Sequence, residues 1–278
     1  SVLTPGGGSN FPPGVFLFFC RGRSGCVFCT VQAPAACGGR DSRRPGGFRD
    51  FHECDFHGNH TGTACAREQS GGRSDGVYVG LPRFNARERG RNCTAEEVGK
   101  LIGEARHRGG RVYVTLNTLL KEREVDEAAE MLGELVLLRP HAVIVQDLAV
   151  LRMIREHFSE LEIHASTQMG THNSSGVNAL ADLGVQRVIL QRQITFEELK
   201  LLMQRARLEV EVFVHGALCC GRSGSCLFSS WIGGWSGNRG KCTQPCRRRF
   251  YTDEGNGFFF STRDLYTLDA IGELKTLG

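Results

Sequence analysis

No apolar run in this 278-residue chain approaches the roughly 18 consecutive residues that a membrane-spanning helix needs. The short stretch Val15–Cys20 is too brief for the apolar core of a secretory leader, and Pro12 and Pro13 break its approach. The sequence therefore predicts a cytoplasmic protein with no membrane partner. A glycine-rich phosphate loop is missing from every strand-to-helix turn, which argues against a nucleotide-binding sheet. A His-Glu-x-x-His zinc helix and a defensible Ser-His-Asp order are also missing. Strong charge of either sign is absent: 34 Lys and Arg against 30 Asp and Glu leave +4, which permits an acidic partner such as RNA without requiring one.

Other absences are concentrated in residues 1–75, which contain no Lys, Ile, Met, Tyr or Trp. They are dense in Gly, Arg, Pro and Cys, and no apolar period of two or of 3.6 runs through them. A zinc site can be imagined there on Cys20, Cys26, Cys29 and Cys37 with His52, Cys54, His57, His60 and Cys65. The composition points instead to a disordered segment or to translation in the wrong frame. From Gly76 onward the text is regular, so 76–278 is the expected folded domain, and an apolar content of 40% is enough to give it a core.

In that domain short β-rich runs alternate with amphipathic helices. Strands are expected at Val77–Leu81, Arg111–Asn117, Ala142–Gln146, Glu162–Ala165, Arg187–Gln191, Val210–His215 and Gly257–Ser261. Helices are expected from Thr94 to His107 and over Glu124–Leu138, Ala149–His157, Ser175–Leu183 and Thr195–Arg207. Thr94 and Thr195 are each followed three residues later by a glutamate, the signature of a capped helix start. Strands alternating with helices imply parallel strands joined by right-handed crossovers. The expectation is an α/β fold of the (β/α)8 TIM-barrel type with its first strand missing or replaced. An open parallel α/β sheet is the alternative.

In such barrels the site is built from the C-terminal strand ends. Here those ends are polar: Asn85, Asn117, Gln146 with Asp147, His164 with Ser166, Thr167 and Gln168, Gln191 with Arg192, His215, then Ser261, Arg263 and Asp264. Any one of them could simply cap a helix. Together they form a ring suited to a polar or anionic small molecule or a nucleobase edge.

Twelve cysteines is a high count for a reducing compartment, where thiols usually serve metal or redox chemistry. Five of them lie between Cys219 and Cys246. Cys219, Cys226, Cys242 and Cys246 stand in a Cys-x6-Cys and Cys-x3-Cys arrangement, with Cys220 a spare. Four soft thiolates select zinc or an iron–sulfur cluster, and the wide first spacing on a glycine-rich loop suits the cluster better. Arg239, Arg247, Arg248 and Arg249 would surround it with positive charge that attracts an anionic substrate. Inert thiols, or a nucleophilic cysteine paired with His215, are the other readings.

The run His215-Gly-Ala-Leu-Cys, Ser-Gly-Ser-Cys226, then Asn238-Arg-Gly-Lys-Cys-Thr-Gln-Pro-Cys-Arg247 resembles the signature of the collagenase-like peptidase U-32 family. Phe84-Asn-Ala-Arg, Tyr113-Val-Thr-Leu-Asn-Thr, Val145-Gln-Asp and His164-Ala-Ser-Thr-Gln match that family's barrel in order. The resemblance spans about 76–278 and is nearest to the branch that supports oxygen-independent hydroxylation of ribosomal or transfer RNA. It implies a four-iron, four-sulfur (4Fe-4S) cluster on Cys219, Cys226, Cys242 and Cys246, RNA as substrate, a small-molecule hydroxyl donor and a partner protein. Candidate catalytic groups are then Asn117, Asp147, Gln168 and His215, and candidate substrate-binding groups are Asn85, Arg192, Arg239 and Arg247. Collagenase-like proteolysis, or a non-catalytic iron–sulfur subunit of a quinone-hydroxylation pathway, are the alternative functions. Two departures stand out: the family's opening strand is absent, and Tyr266 occupies the place of a later cysteine that some relatives use as fourth ligand.

Overall fold

The computed structural model describes residues 76–277 except 91 and 108, together with the backbone of two upstream strands. The zinc site imagined on Cys20 to Cys65, and the disorder or frame error expected of 1–75, lie outside the residues whose side chains are described.

Six strands form a curled parallel sheet in chain order: β3 (Gly76–Gly80), β4 (Arg111–Leu116), β5 (Ala142–Val145), β6 (Ile163–Ala165), β7 (Arg187–Ile189) and β8 (Glu209–Phe213). Each is followed or preceded by a helix on the outer face: α1 (Ala95–His107), α2 (Val125–Leu138), α3 (Leu148–His157), α4 (Ser174–Asp182) and α5 (Phe196–Met203). The strands β1 (Val15–Gly22) and β2 (Gly25–Gln32) pair antiparallel with each other, β2 runs parallel to β3, and β1 antiparallel to β8. The architecture is thus α/β with a curled six-stranded parallel sheet, and the strands beside it are an antiparallel hairpin rather than further β/α units. Gly257–Ser261, expected as a barrel strand, is not in this sheet. Instead β10 (Phe250–Thr252) and β11 (Gly255–Gly257) make a separate hairpin across the two residues Asp253 and Glu254. The ring of Phe260 then packs edge-on against Phe228 and Phe250, which removes it from the sheet.

Alternation along the strands separates two environments. Val112, Val114 and Leu116 of β4, Val143 and Val145 of β5, Ile163 and Ala165 of β6 and Val188 of β7 join the apolar core under the helices. The helices meet them with Val98 and Ile102 of α1, Ala128, Leu132 and Leu135 of α2, and Val150, Leu151 and Ile154 of α3. The intervening residues face the inside of the curl, and several are polar: Tyr78, Tyr113, His164, Arg187 and Glu211. Arg187 is 2% exposed and pairs with Glu209 at 2.7 Å and Glu211 at 3.8 Å. Tyr78 donates a hydrogen bond to Glu211, and Tyr113 lies between Tyr78 and His164 with its ring tilted to both. This charged interior was not expected from the apolar runs.

Helix starts behave as their sequences dictate. Thr94 and Glu97 exchange the reciprocal bonds of a capping box, as do Thr195 and Glu198. Asp147 caps α3 by accepting from the Ala149 amide, and Asn173 caps α4 by accepting from Gly176.

Candidate active site

The polar strand ends meet at one mouth. Phe84, at φ 60°, turns the chain after β3 and sets Asn85 inward, where it is 2% exposed and accepts from the Arg87 amide at 2.8 Å. Such a conformation is strained for a non-glycine residue, so packing must hold it. Asn117 ends β4. Its Oδ1 accepts from the Ala86 amide at 2.9 Å, and its Nδ2 donates to Ser166 Oγ at 3.2 Å. Gln168 returns the contact by donating to the Asn117 carbonyl at 3.1 Å. Asn117, Ser166 and Gln168 therefore belong to one hydrogen-bonded set spanning the ends of β4 and β6, tied to the loop after β3 through the Ala86 amide, while the Asn85 side chain bonds within that loop. Asp147 is engaged otherwise: besides capping α3 it accepts from the Leu120 amide at 2.8 Å.

The cysteine segment is fastened onto this mouth. Gln191 donates to the carbonyls of Thr167 at 2.7 Å and Ser223 at 3.3 Å. Gly224 has φ +79°, and a side chain there would collide with the Gln168 carbonyl oxygen, so only glycine lets the loop approach so closely. Gly240, at φ +76°, approaches the Asn85 carbonyl in the same way. Arg192 donates to the Ala217 carbonyl at 3.3 Å and to Cys219 Sγ at 3.5 Å, with its guanidinium 4.1 Å from the Phe213 ring centroid. Arg239 forks onto Glu124 at 2.9 and 2.7 Å and onto the Leu119 carbonyl at 2.6 Å. Arg247 binds the carbonyls of Leu218 at 2.9 Å and Thr262 at 2.7 Å and the Asp264 carboxylate at 2.9 Å. The three arginines chosen as substrate ligands are in this way engaged as clamps.

Two titratable groups register these surroundings. The bonds from Arg239 hold the Glu124 carboxyl down to about 2, with help from the Lys121 amide and despite its burial. Burial pushes the Cys246 thiol up to about 12, reinforced by the neighbouring thiols of Cys220 and Cys242. Cys220, set aside by spacing alone, therefore stands beside Cys246. Cys242 Sγ accepts from Ser229 Oγ at 3.6 Å and from the Gln244 amide at 3.4 Å. His215, in β9 (His215–Gly216), pairs antiparallel with Tyr266 of β12 (Leu265–Tyr266), and the two rings meet edge-on at 5.9 Å. It is hydrogen-bonded to no cysteine among the described residues.

The donor chemistry is the soft-thiolate kind that zinc and iron–sulfur clusters select. Soft thiols are gathered on one segment, and the backbone packs closely around them: a Cβ on Gly221 would lie 3.6 Å from Cys226 Sγ, and one on Gly237 3.5 Å from Cys242 Cβ. Among the described residues no three His, Cys, Asp or Glu side chains are close enough to share a single ion. Thiolates of a cluster bind different irons and stand further apart than the ligands of one ion.

Four buried polar atoms at the mouth lack a hydrogen-bond partner among the described residues: Gln146 Oε1, Arg192 Nε, His215 Nδ1 and Ser223 Oγ. Buried polar groups are ordinarily satisfied, so these atoms are where a polar ligand or water would bind. Gln191 and Ser223 were not singled out for binding from sequence. Gln191 carried a signal as a strand-end amide, whereas Ser223 carried none until the loop folded over it.

A sequence profile of peptidase family U32 matches residues 64–278, and the chain belongs to that family. The match begins upstream of the Gly76 boundary read from composition. The chain is 33% identical over 194 residues to the 23S rRNA 5-hydroxycytidine C2501 synthase of Escherichia coli, covering 70% of this chain and 29% of that protein. It is 35% identical over 183 residues to tRNA hydroxylation protein P of E. coli, covering 66% and 40%. It is 27% identical over 229 residues to a protein of Porphyromonas gingivalis named collagenase, covering 74% and 54%. The chain thus spans about a third to a half of the length of these relatives. No helix of the described residues is long and apolar enough to cross a membrane.

Proposed function

We propose that this chain is the sheet-and-cysteine portion of an RNA-hydroxylating enzyme. The observation that carries the reading is the fastening of the cysteine segment onto the polar mouth by Gln191, Gly224 and Arg192, because it places thiols and unpartnered polar atoms at one end of the sheet. The likeness to relatives named for rRNA and tRNA hydroxylation supports RNA as the substrate class. Cys219, Cys226, Cys242 and Cys246 would hold an iron–sulfur cluster, which supplies electron transfer when bound. Gln146 Oε1, Ser223 Oγ and Arg192 Nε would bind and orient a small hydroxyl donor or the target base. His215 Nδ1, buried without a partner, would hold or move a proton. Asn117, Ser166 and Gln168 keep the mouth rigid by bonding its strand ends together.

The test combines anaerobic iron and sulfide analysis with mass spectrometry of RNA nucleosides from a strain lacking the gene. The expected result is loss of a hydroxylated nucleoside, restored by the wild-type gene and not by Cys219→Ala or Cys242→Ala, with about four irons per chain in the purified protein. Unchanged hydroxylation on deletion would overturn the reading. A peptidase of the Cys–His kind finds less support, because His215 is hydrogen-bonded to no cysteine among the described residues and packs edge-on against Tyr266. Gelatin cleavage by iron-free protein, abolished by Cys219→Ala, would bring that reading forward.

A further inference from the structure

A cleft of about 630 Å³ opens beside the mouth, between the loop after β3, the turn at 121–124 and the loop at 234–241. Its wall carries Arg83, Lys121, Arg123, Arg239 and Lys241 against two acids, Glu88 and Glu124. Three of the cations are already matched. Arg83 pairs with Glu127, Arg239 with Glu124 at 2.7 Å, and Lys241 with Glu88 at 3.2 Å. Lys121 and Arg123 are exposed and have no ion-pair partner among the described residues. They face a cleft whose own acids are committed, so its free charge is positive.

The opposite lip is aromatic. Trp235 lines the cleft and is 44% exposed, while Trp231 on α6 (Phe228–Gly233), outside the cleft lining, is 83% exposed. These are the chain's two tryptophans, a residue type that is usually well buried. The Arg89 guanidinium lies 4.6 Å from the Trp235 ring centroid, which puts a cation over one face of that ring. An exposed indole ring beside unmatched cations supplies the two parts of a single-strand nucleic-acid platform: a base stacks on the ring while the cations track the phosphates. An acidic peptide would use the charge but not the flat rings.

We propose that this cleft is the docking groove for a single-stranded RNA segment, with phosphates at Lys121 and Arg123 and a base on Trp235. The proposal rests on the RNA reading above and adds the surface that binds the strand.

The test titrates the full chain into a dye-labelled single-stranded RNA oligonucleotide and follows anisotropy at several salt concentrations. Charge reversal at two phosphate contacts, K121E with R123E, is expected to lower affinity at least about ten-fold at low salt and to flatten the salt slope by about 1.4. Trp235→Ala is expected to weaken binding about five-fold or more while leaving that slope in place. All three substitutions are at exposed positions, so thermal melts of both variants should match wild type. Variants that bind as wild type with the same slope, a wild type that does not bind, or an acidic peptide that competes as well as RNA would each overturn the groove. The hydroxylated-nucleoside measurement judges the RNA reading separately. If the nucleoside still depends on the gene when the groove variants bind normally, the groove alone is wrong. If the nucleoside never depended on the gene, the enzyme reading falls whatever the groove binds.

Discussion

The curled sheet and the cysteine segment at 217–266 are held by different forces. In the sheet, apolar residues of the strands and of α1 to α5 close into a single core. None of the buried residues of that core comes from 215–266. The segment instead exposes Trp231, Trp235, Tyr251, Phe258, Phe259, Phe260 and Tyr266. Its longest element is the six-residue helix α6. It stays on the mouth through arginine forks, glycine contacts and amide bonds, with Phe228, Phe250 and Phe260 as a small aromatic cluster of its own. Burial makes a fold robust without aiming any particular atom. Polar clamps aim thiols and side chains, at the cost of lower local stability.

The largest effect belongs to the charged interior of the curl. Arg187→Met leaves Glu209 and the fully buried Glu211 without their cation, and breaking a buried pair costs roughly 3–5 kcal/mol. Urea unfolding should show that loss with an unchanged slope. A loss below about 1 kcal/mol would mean that the interior is solvated and that the sheet does not depend on these charges.

Acid should separate the two regions. Burial depresses the His164 imidazole from 6.5 to about 4 in the folded chain. The unfolded chain therefore takes up this proton first as pH falls. Stability contributed by neutral His164 is complete above 6.5 and is lost between 6.5 and about 4, on the order of 3 kcal/mol. Glu124 is depressed from 4.5 to about 2, so the contribution of its clamp is complete above 4.5 and fades only below it. Lowering the pH from neutral should thus weaken the sheet before the clamp. His164→Asn should flatten the stability curve between pH 6.5 and 4, and a curve that keeps its slope would remove His164 as the cause.

Detaching the clamp is expected to matter less, and locally. Glu124→Ala strands a half-buried Arg239 and should cost about 1–3 kcal/mol. Amide exchange should speed up over 217–247 while the strands β4 to β8 keep their protection. Exchange rising equally in both regions would show that the segment and the sheet open as one unit.

How far each region was legible follows from the same contrast. The apolar strand Ala142-Val-Ile-Val and the helix pattern of Ala128, Leu132 and Leu135 carry their structure in their period, and both fold as read. The hairpin that takes Gly257 was misread because Phe258, Phe259 and Phe260 look like a strand when packing is ignored. The polar mouth was visible as strand-end amides. Its division of labour was not, because nothing local to Arg239 announces Glu124 at a distance of 115 residues. The same holds for Cys220, whose neighbour Cys246 lies on another loop, and for Lys121, Arg123 and Trp235, which two separate loops bring to one cleft.

The smallest effect tests the part of the molecule that was most legible. Thr195 opens α5 with a capping box, its hydroxyl accepting from the Glu198 amide at 3.3 Å while the Glu198 carboxylate accepts from the Thr195 amide at 2.7 Å. Thr195→Ala removes the hydroxyl and leaves the carboxylate contact to the backbone, so about 1 kcal/mol should be lost. The loss should be global, because α5 buries Leu199 and Leu202 in the core shared by the whole sheet. Urea unfolding reads the size, and amide exchange reads the extent. A loss confined to α5 would show that this helix frays independently of the sheet. The contrast would then lie between the inner strands and everything attached to them, rather than between the sheet and the cysteine segment.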